Sequence, residues 1–526
     1  MSELLHYRMD LLRRSGLAAS GLRGVEREAL RVDRAGRLAR TPHPAVLGSA
    51  LTHPNITTDY SEALIELVSS AHASNADLMH ELDLVHRFVQ QGLGEESLWA
   101  ASMPAELPSE AEIPIAWYGN SHIGMLKHVY RRGLAVRYGK AMQCIAGIHY
   151  NFSLPETWWE VLGRDEGSTL GARDEQSARY IALIRNFHRR AWLLMVLFGA
   201  SPALSAGFLQ GRSHQLQEIG PDTLALPHAT SLRMSDLGYQ NKAQKGLIPT
   251  YNSLDEYMTG MARAVRMPWP EYEALGLRRD GEWIQISTNV LQIENEYYAS
   301  IRPKRVTRSG ERPLQALCER GVQYVEVRCI DVDPFEPSGI SADTAHFLDV
   351  FLTTCALAES APSTEAGFEE CRFNFASAVR EGRRPDLSLQ RDGQTISLRD
   401  WSLQLLEEMQ PVAQWLDAAG GGELHQQALR TQLARIQQPQ DLPSARVLDA
   451  IQQHGASFHR FALAQSLANR DALLARPVSG SELQQMKKLA ADSLDQQREI
   501  EAADQGSFDD FIEAYRLATP SQLCCN

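Results

Sequence analysis

The sequence has few cysteines, and their spacing matches neither a metal site nor a disulfide framework. The seven cysteines are an odd number, no two of them form a Cys-x-x-Cys pair, and their intervals are irregular. Structural disulfides and cysteine-based zinc sites are therefore not expected, and a reducing cytoplasm is the simplest compartment for such a chain. Cys524 and Cys525, adjacent at the C-terminus, are expected to be exposed, and we assign them no role.

The chain also contains fewer basic than acidic residues. Lysine and arginine total 52 against 65 aspartates and glutamates in 526 residues, which gives a formal net charge of −13. Non-specific binding to nucleic acid requires a basic surface, and so does attraction to an anionic membrane. We therefore expect neither partner, and we expect the excess acid to matter only where carboxylates cluster.

No stretch of the chain is long and apolar enough to predict a transmembrane helix. Residues 191–211 carry no formal charge, but Pro202, two serines and three glycines interrupt the second half. A spanning helix needs about 20 predominantly apolar residues. The segment is therefore predicted to be a buried helix that ends near Gly199 and continues as a loop. The N-terminal residues lack the apolar core of a secretory signal.

The common motifs for phosphate, nucleophile and zinc chemistry are missing as well. Residues 133–141 approach a Walker A sequence but contain one residue too many, and Ala141 stands where serine or threonine would bind Mg²⁺. No Gly-x-Gly-x-x-Gly, Gly-x-Ser-x-Gly or His-Glu-x-x-His sequence occurs. These absences disfavour a Rossmann dinucleotide site, an α/β-hydrolase nucleophile and a zinc helix.

The chain instead shows amphipathic helices and short, dispersed strands. Apolar residues at helical spacing predict helices over 74–93 and 176–198. After about residue 375 the pattern is helical, with a break at the glycines 420–422, and residues 481–517 are typical of solvent-facing helix. We predict an α+β fold in which strands carry one site and helices pack around them.

Four segments alternate apolar side chains with chemically active ones. In a β-strand, residues i and i+2 point to the same side, so each segment would present one apolar face and one polar face. The polar faces would carry Glu26 and Glu28 in residues 24–32, Asp59, Glu62 and Glu66 in 57–68, His149 and Asn151 in 147–153, and Glu326 and Arg328 in 324–331.

A solvated sheet face alternates in the same way, and that explanation is the simpler one for any single segment. A solvated face explains the four segments together less well, because solvated faces are usually rich in Lys, Thr, Ser and Gln. If the carboxylates converge near His149, their like charges need compensation. Oxygen-rich clusters without thiolates suit hard cations, so the pattern predicts roughly two or three Mg²⁺ ions that hold a nucleotide polyphosphate on a sheet face.

A short basic segment could supply the cations that phosphate also requires. Arg302, Lys304, Arg305 and Arg308 lie within the nine residues 300–308. In isolation a solvated basic loop explains them equally well, but beside the carboxylates they would neutralise phosphoryl groups. The preceding residues 289–298 alternate in polarity and predict a strand that leads into this segment.

Together these segments resemble the proteobacterial glutamate–cysteine ligases. The likeness runs in colinear order from about residue 20 to 375, and it is weaker beyond. Several of its blocks are eight or more residues long. It rests on the sequences GVEREALRV (24–32), LGSALTHPNITTDYSEALIE (47–66), GIHYNFSLP (147–155), FGASP (198–202), ATSLRMSDLGY (229–239), NVLQIENE (289–296), IRPKRVTRSGE (301–311) and YVEVR (324–328).

The resemblance implies the first step of glutathione biosynthesis. In this family ATP phosphorylates the γ-carboxylate of L-glutamate, and the amine of L-cysteine attacks the acyl phosphate to give γ-glutamylcysteine, ADP and phosphate. The fold implied is a curved, mostly antiparallel sheet of the glutamine-synthetase type surrounded by helices. The resemblance further implies Mg²⁺ with Mn²⁺ as a substitute, feedback binding of glutathione, and a cytoplasmic monomer. Residues 1–375 would form the catalytic unit and 376–526 a mainly helical C-terminal part.

The resemblance also assigns roles by position. A tyrosine at any one of these positions could equally be a packed core residue, and Tyr297 competes with Tyr298. The implied Mg²⁺ ligands are Glu26, Glu28, Asp59, Glu66, His149 and Glu326; the implied catalytic residues are Arg233 and Arg328; the implied phosphate contacts are Arg131, Arg302, Lys304 and Arg305; and the implied cysteine pocket is Tyr130, Tyr239 and Tyr298.

Two other functions remain open at this point. One is a related carboxylate–amine ligase that prefers another amine acceptor. The other is a non-catalytic binding or regulatory relative on the same fold. The intact set of acidic residues around His149 argues against the second, because a relative without catalysis has no need of such a cluster.

Overall fold

The computed structural model describes residues 3–237, 243–244, 247, 250–308 and 310–517. Its strands are β1 Leu22–Val32, β2 Ile56–Thr58, β3 Leu64–Val68, β4 Ser97–Leu98, β5 Ile148–Ser153, β6 Ala203–Ser205, β7 Gln217–Glu218, β8 Thr223–Ala225, β9 Arg278–Arg279, β10 Glu282–Trp283, β11 Ile301–Lys304, β12 Tyr324–Ile330, β13 Ser388–Arg391 and β14 Gln394–Ser397.

Its helices are α1 Glu3–Arg14, α2 Asn75–Gly92, α3 His122–Tyr138, α4 Glu156–Asp165, α5 Ala172–Phe198, α6 Leu254–Ala264, α7 Pro270–Leu275, α8 Pro313–Arg320, α9 Ala342–Leu357, α10 Glu365–Glu381, α11 Leu398–Gly420, α12 Leu424–Gln437, α13 Pro443–Gln453, α14 Phe458–Leu474, α15 Gly480–Ala503 and α16 Phe508–Leu517.

The largest sheet of the described chain has seven strands, and all of its pairings are antiparallel. The hydrogen-bonded order is β11–β12–β5–β1–β3–β2, with β4 paired to the end of β1. Helices surround this sheet. The predicted α+β class with a mostly antiparallel sheet is confirmed.

One face of this sheet forms part of the hydrophobic core. Val25, Tyr150 and Val327 are fully buried on it. Helix α5 packs against β11 and β12, and α2 packs against β1 and β3. β-Branched and aromatic residues suit such a pleated surface because they pack closely against neighbours on the same face. The apolar half of the predicted alternation therefore attaches the sheet to its helices and leaves the other face for polar groups.

The two helices predicted from periodicity lie where expected. Helix α2 begins after Ser74, whose hydroxyl accepts the backbone N–H groups of Ala76 and Asp77. Helix α5 is largely buried and ends with Gly199 as its C-cap, so the uncharged segment is a buried helix as predicted. Among the residues that the structure describes, none of the helices combines the length and the apolar character that a membrane crossing needs.

Two predicted strands differ from the structure. Residues 57–68 form two strands, β2 and β3, joined by a turn in which Glu62 accepts the backbone N–H groups of His43 and Trp117 at 2.8 and 2.7 Å. Residues 289–298 contain a 3-10 turn at Glu294–Glu296 instead of a strand. The polar alternation of these residues predicted a strand with a solvated face. Both glutamates are instead buried in ion pairs, Glu294 with Arg312 at 3.0 Å and Glu296 with Arg137 at 2.9 Å.

The prediction that the chain forms no disulfide is wrong at one position. Cys318 is disulfide-bonded, whereas the other described cysteines, Cys144, Cys329, Cys355 and Cys371, are free. An odd count with irregular spacing excludes a framework of several bridges, but it does not exclude a single one. Cys524 and Cys525 lie outside the described residues.

The C-terminal helices pack on the first part of the chain at several places. Helix α11 ends at Gly420, where Gly421 adopts a left-handed conformation with φ 75°, so the predicted break at the glycines is confirmed. Helices α11 and α12 pack against α9, α14 packs against α2, and α16 packs against α3. The division of the chain at residue 375 stays a prediction.

Asp349 on α9 joins the apolar side of the sheet to these C-terminal helices. Its fully buried carboxylate accepts hydrogen bonds from Arg23 Nη2, Tyr150 Oη and Asn75 Nδ2, each at 2.8 Å. The Nε2 atom of His425, at the start of α12, lies 3.7 Å from the same carboxylate. The buried carboxylate of Asp349 therefore joins helix α9 to strands β1 and β5 and to helices α2 and α12.

We expect Asp349→Ala to destabilise the protein strongly. The substitution leaves Arg23 as an uncompensated buried cation, and removing one partner of a buried ion pair costs about 3–5 kcal/mol. Thermal unfolding followed by circular dichroism measures the effect. The matched control is Asp10→Ala, which removes an exposed carboxylate 3.4 Å from Arg13 and should change stability by no more than about 0.5 kcal/mol. Equal shifts in the two variants would contradict the assigned role of Asp349.

Candidate functional site

The polar face of the main sheet brings together most of the predicted metal ligands. Residues that lie directly opposite each other on an antiparallel pair have side chains within contact range. The convergence that the alternation predicts is therefore found on β1, β3, β5 and β12. The neighbours across strands on this face are Glu26 with His149, Glu28 with Glu66, Glu326 with Asn151, and Arg302 with Glu326.

His149 lies at the centre of this cluster. Its Nδ1 atom is 3.0 Å from Glu26 Oε2 and 4.0 Å from Glu326 Oε1, and its Nε2 atom is 3.6 Å from Glu28 Oε1. One candidate ligand atom from each of Glu26, Glu66 and His149 lies within 4.8 Å of the other two. A single ion could therefore contact all three side chains.

Polar neighbours fix two of these carboxylates. The backbone N–H of Gly147 donates to Glu28 Oε2 at 2.7 Å, and Asn151 Nδ2 donates to Glu26 Oε1 at 2.8 Å. Each of the two glutamates therefore has one oxygen held by a donor and the other turned toward His149.

The carboxylates differ in how their charge is compensated. Glu326 lies 3.4 Å from Lys304 Nζ and 3.1 Å from Arg328 Nη1. Burial raises its pKa, but the positive charges of Lys304 and Arg328 outweigh burial and hold the pKa of this carboxyl well below its usual value. Burial also raises the pKa of Glu26, and the hydrogen bond from His149 brings it below the usual value.

Glu66 and Glu28 lack such compensation. Burial raises the pKa of Glu66 well above its usual value, and the neighbouring charges of Glu26 and Asp59 raise it further. The pKa of Glu28 is raised by burial as well, against the opposing charge of His149. The protein's own cations therefore leave part of the acidic cluster uncompensated.

The residues present fit a hard divalent cation. The donor set consists of carboxylate oxygens and one imidazole without thiolates, and such sets suit Mg²⁺ or Mn²⁺. Two buried oxygens on this face, Glu326 Oε2 and Asn151 Oδ1, accept no hydrogen bond in the described part of the chain, although Lys304 Nζ lies 3.4 Å from Glu326 Oε2. Oxygens of this kind normally have a partner, and a cation or its bound water would supply one.

Asp59 follows β2 and borders the cluster. Its charge raises the pKa values of Glu66 and Glu28, so it lies within electrostatic range of both. Its backbone carbonyl accepts hydrogen bonds from Tyr118 Oη at 2.8 Å and from Arg131 Nε.

Arg328 and Arg233 have different surroundings. Arg328 faces the cluster, with Nη1 3.1 Å from Glu326 Oε1 and 3.5 Å from His149 Nδ1. Arg233 donates through Nη2 to the backbone oxygen of Arg328 at 2.8 Å and through Nη1 to that of Ile330 at 3.3 Å. Arg233 therefore supports the strand from which Arg328 projects.

The basic segment at 300–308 does not act as one clamp. Only Lys304 contacts the cluster, through Glu326. Arg302 is buried and donates through Nη2 to the backbone oxygens of Asn295 and Tyr297. Arg305 donates to the backbone oxygen of Gly321 at 2.6 Å. Arg302 and Lys304 share a face of β11, so the difference between them comes from the backbone carbonyls that take the hydrogen bonds of Arg302, whereas Arg305 follows the end of the strand.

Two of the three predicted tyrosines lie within the described residues. The Tyr298 hydroxyl lies 3.0 Å from Met234 Sδ, and burial raises its pKa while the charge of Arg233 lowers it, so this residue lies close to the arginines of the site. Tyr130 lies on α3 and packs against a hydrophobic cluster that includes Ile512. Tyr239 lies outside the described residues.

The sequence analysis missed several residues that shape the site. Tyr118 is fully buried and donates to the carbonyls of both Thr58 and Asp59, which fixes the turn after β2. Lys127 lies one helical turn before Arg131 on α3 and shares its face. The i, i+4 spacing of Lys127 and Arg131 is visible in the sequence. The hydrogen bond of Arg131 to the Asp59 carbonyl is not, because it joins distant segments of the chain.

Gly147 is a further residue that the site requires. A Cβ atom at this position would lie 1.9 Å from Arg233 Nη2, closer than any non-bonded contact. The Arg233 side chain fills the space that another residue's side chain would need. The glycine therefore permits both the hydrogen bond to Glu28 and the packing of Arg233 behind Arg328.

We expect Gly147→Ala to displace Arg233 and to lower stability by about 1–3 kcal/mol, the usual cost of overpacking. Thermal unfolding and a crystal structure of the variant would show both effects. Gly420→Ala is the control, because a Cβ there meets no atom within 4 Å. Gly147→Ala with an unshifted Arg233 and unchanged stability would disprove the requirement.

Comparison with known proteins gives consistent results. A family model described as glutamate-cysteine ligase matches residues 10–378. A glutamate–cysteine ligase from Janthinobacterium sp. is 57% identical over all of both chains, and one from Azotobacter vinelandii is 58% identical over 98% of this chain and 99% of the relative.

Two solved structures are similar as well. A crystal structure of a glutamate–cysteine ligase from Francisella tularensis in complex with AMP superposes with a TM-score of 0.90 at 35% identity, covering 96% of this chain and 99% of that one. A bifunctional glutathione synthetase from Pasteurella multocida shares the fold, with a TM-score of 0.73 at 24% identity over 93% of this chain and 58% of that one.

Proposed function

The chain belongs to the glutamate–cysteine ligase family and is an enzyme of the ligase class, and on that premise we propose how its sheet face joins glutamate to cysteine. The observation that carries the proposal is the acidic cluster around His149, bordered by Lys304 and Arg328. An arrangement of this kind holds metal-bound phosphate and does not require a protein nucleophile.

ATP supplies the leaving group in this proposal. A carboxylate is a poor acyl donor because oxide leaves poorly. Transfer of the γ-phosphoryl group of ATP to the γ-carboxylate of L-glutamate creates a better donor. The amine of L-cysteine then attacks the acyl carbon, and phosphate leaves, which gives γ-glutamylcysteine, ADP and phosphate. The AMP found in the Francisella tularensis relative supports a nucleotide site.

The residues that would hold Mg²⁺ are those of the acidic cluster. Mg²⁺ when bound supplies Lewis-acid stabilisation of phosphoryl oxygens. Mn²⁺ has the same preference for oxygen ligands and would substitute for it. The proposed ligands are Glu26, Glu28, Asp59, Glu66, His149 and Glu326.

Arg328 and Lys304 would stabilise negative charge on the transferred group. Both cations approach Glu326, and Arg328 also approaches His149 at 3.5 Å. The guanidinium fork suits carboxylate and phosphoryl oxygens. Arg233 would act through Arg328 by holding its backbone carbonyl, and Arg302, Arg305 and Arg131 are proposed only as peripheral phosphate contacts.

The remaining proposals concern the acceptor and the setting of the enzyme. Tyr130, Tyr298 and Tyr239 would line the cysteine pocket. We further propose a cytoplasmic monomer that binds glutathione as a feedback inhibitor. Its catalytic unit would be residues 1–375, followed by the helical part at 376–526.

We expect purified protein to release ADP only when ATP, Mg²⁺, L-glutamate and L-cysteine are all present. Glu326→Gln should lower turnover roughly 100-fold or more, because the variant removes one candidate ligand and the charge partner of Lys304 and Arg328. The measurement is coupled ADP release with mass detection of γ-glutamylcysteine. Glu160→Gln, at an exposed position on α4, is the control and should retain full activity.

The acceptor decides between this proposal and a related ligase. Turnover with L-cysteine is compared with turnover on 2-aminobutyrate, alanine and ammonia under the same conditions. A preference for one of the other amines would replace cysteine in the proposal. Absence of ADP release with every acceptor would overturn the ligase proposal itself.

We expect Mg²⁺ to stabilise the protein and Glu66→Gln to reduce this effect. At a free Mg²⁺ concentration 100-fold above its Kd, the wild-type chain should gain about 2.7 kcal/mol. Without Mg²⁺ the variant should be the more stable protein, because it removes a buried carboxyl whose charged form its neighbours disfavour. Thermal unfolding at pH 7.5, with and without Mg²⁺, measures both the gain from Mg²⁺ and the stability difference between the metal-free proteins.

Glu160→Gln serves again as the control and should follow the wild type in both conditions. Equal Mg²⁺-dependent gains in Glu66→Gln and the wild type would remove Glu66 from the proposed ligands.

A further inference from the structure

Helix α3 carries two cations that form no ion pair within the part of the chain that the structure describes. Lys127 and Arg131 are four residues apart, so their side chains lie next to each other on one helical face. Their like charges repel each other. Such a pair is unfavourable on its own and favours a bound anion.

An aromatic ring holds this pair in place. Lys127 Nζ lies 5.2 Å and Arg131 Cζ 4.6 Å from the centre of the Tyr118 ring. Both cations thus interact with one ring face by cation–π attraction. Because Tyr118 donates to the carbonyls of Thr58 and Asp59, the ring is anchored to the turn that borders the acidic cluster.

The hydrogen bonds of Arg131 leave one edge of the pair unsatisfied. Its Nε atom donates to the carbonyl of Asp59, and its Nη1 atom donates to the carbonyl of Lys127 at 3.0 Å. Neither Arg131 Nη2 nor Lys127 Nζ donates to an acceptor among the described residues. The backbone therefore fixes the guanidinium while two positively charged donors stay available to a ligand.

The pair is also close to the acidic cluster. Burial lowers the pKa of Lys127 to about 8, the charge of Arg131 lowers it further, and the charge of Glu66 opposes both effects. Lys127 is half-buried, so its ammonium is partly desolvated, and it lies within electrostatic range of Glu66. A desolvated cation binds an anionic oxygen more strongly than a solvated one does.

The sheet order places this pair opposite the other cations of the site. Lys304 and Arg328 lie on β11 and β12, at one end of the order β11–β12–β5–β1–β3–β2. Asp59, to which Arg131 is attached, follows β2 at the other end. The acidic cluster therefore has positive groups on both sides, and a substrate with two separate anionic groups could contact both.

We propose that Lys127 and Arg131 form an anion subsite that binds an anionic oxygen group of a substrate. This inference rests on the proposed function, and it adds a substrate contact at Lys127. Two sources share the required chemistry, namely a phosphate of the nucleotide and the carboxylate of the amine acceptor. The experiment distinguishes them.

The test removes the charge of Lys127 and keeps the helix. Lys127→Gln and Lys127→Met both lack the ammonium, and methionine retains an apolar stem against Tyr118. Lys127→Arg keeps the charge and should stay within about threefold of the wild type. Lys487→Gln removes an exposed lysine on α15 and is the matched control. Thermal unfolding of each full-length variant separates loss of binding from loss of structure.

The measurements are the Kd of inorganic phosphate for the metal-free protein by calorimetry and the KM values for ATP and L-cysteine. Loss of a hydrogen bond to a charged group should weaken one of these about tenfold or more. A parallel rise in the phosphate Kd and the KM for ATP identifies the nucleotide phosphate. A rise in the KM for cysteine alone identifies the acceptor carboxylate.

Cysteamine, which lacks the carboxylate, provides a check on the second source. If the subsite binds the acceptor carboxylate, the wild type and Lys127→Gln should use cysteamine with similar KM values. The proposal would be overturned if the phosphate Kd and the KM values for ATP and L-cysteine all changed less than twofold in Lys127→Gln. It would also be overturned if Lys127→Arg lost as much affinity as Lys127→Gln. If the wild type forms no γ-glutamylcysteine, the proposed function fails, while the phosphate Kd still tests the subsite.

Discussion

Repulsion among the carboxylates on one face of the sheet is the constraint on which the rest of the site depends. The strand pairing brings Glu26, Glu28, Glu66 and Glu326 to one histidine, and burial removes the water that would screen them. The carboxylates are compensated unevenly. The pKa of Glu326, which pairs with two cations, is low, and the pKa of Glu66, which forms no ion pair among the described residues, is high. The imbalance favours the binding of positive charge on this face, which divalent cations would supply.

Arg233 and Arg328 contact the site in different ways, because Arg233 binds backbone carbonyls and Arg328 pairs with Glu326. Arg233 is held 3.6 Å from Asp331, whose Oδ2 atom also accepts the hydroxyl of Ser201 at 2.6 Å. From there Arg233 holds the carbonyl of Arg328, and Gly147 leaves the space that this requires. The Arg233 guanidinium therefore adds positive charge near the cluster, while backbone carbonyls take its hydrogen bonds to β12.

Sequence periodicity predicted the parts of this site that a single strand determines. The two-residue repeat placed Glu26, Glu28, Glu66, His149 and Glu326 on one face, and the register confirms this. The same rule failed at 289–298, because a buried ion pair and a solvated strand face show the same polar alternation. The contributions of Tyr118 and Lys127 could not be predicted, because they depend on Tyr118 and α3 meeting the turn after β2, and Tyr118 lies about 60 residues and Arg131 72 residues from that turn. Cys318 shows the same limit for cysteine counting.

The C-terminal helices contribute to the site although the family model ends at residue 378. The Asp504 side chain accepts the backbone N–H of His122 at 2.5 Å, at the start of α3. Ile512 is fully buried in the cluster that holds the other side of this helix. Ser493 accepts the backbone N–H of Ser49 at 2.9 Å, in the loop that leads to β2. Helices α15 and α16 thus fix both segments that carry Asp59 and Arg131, so the position of the cations at the β2 end of the sheet depends on residues far beyond 375.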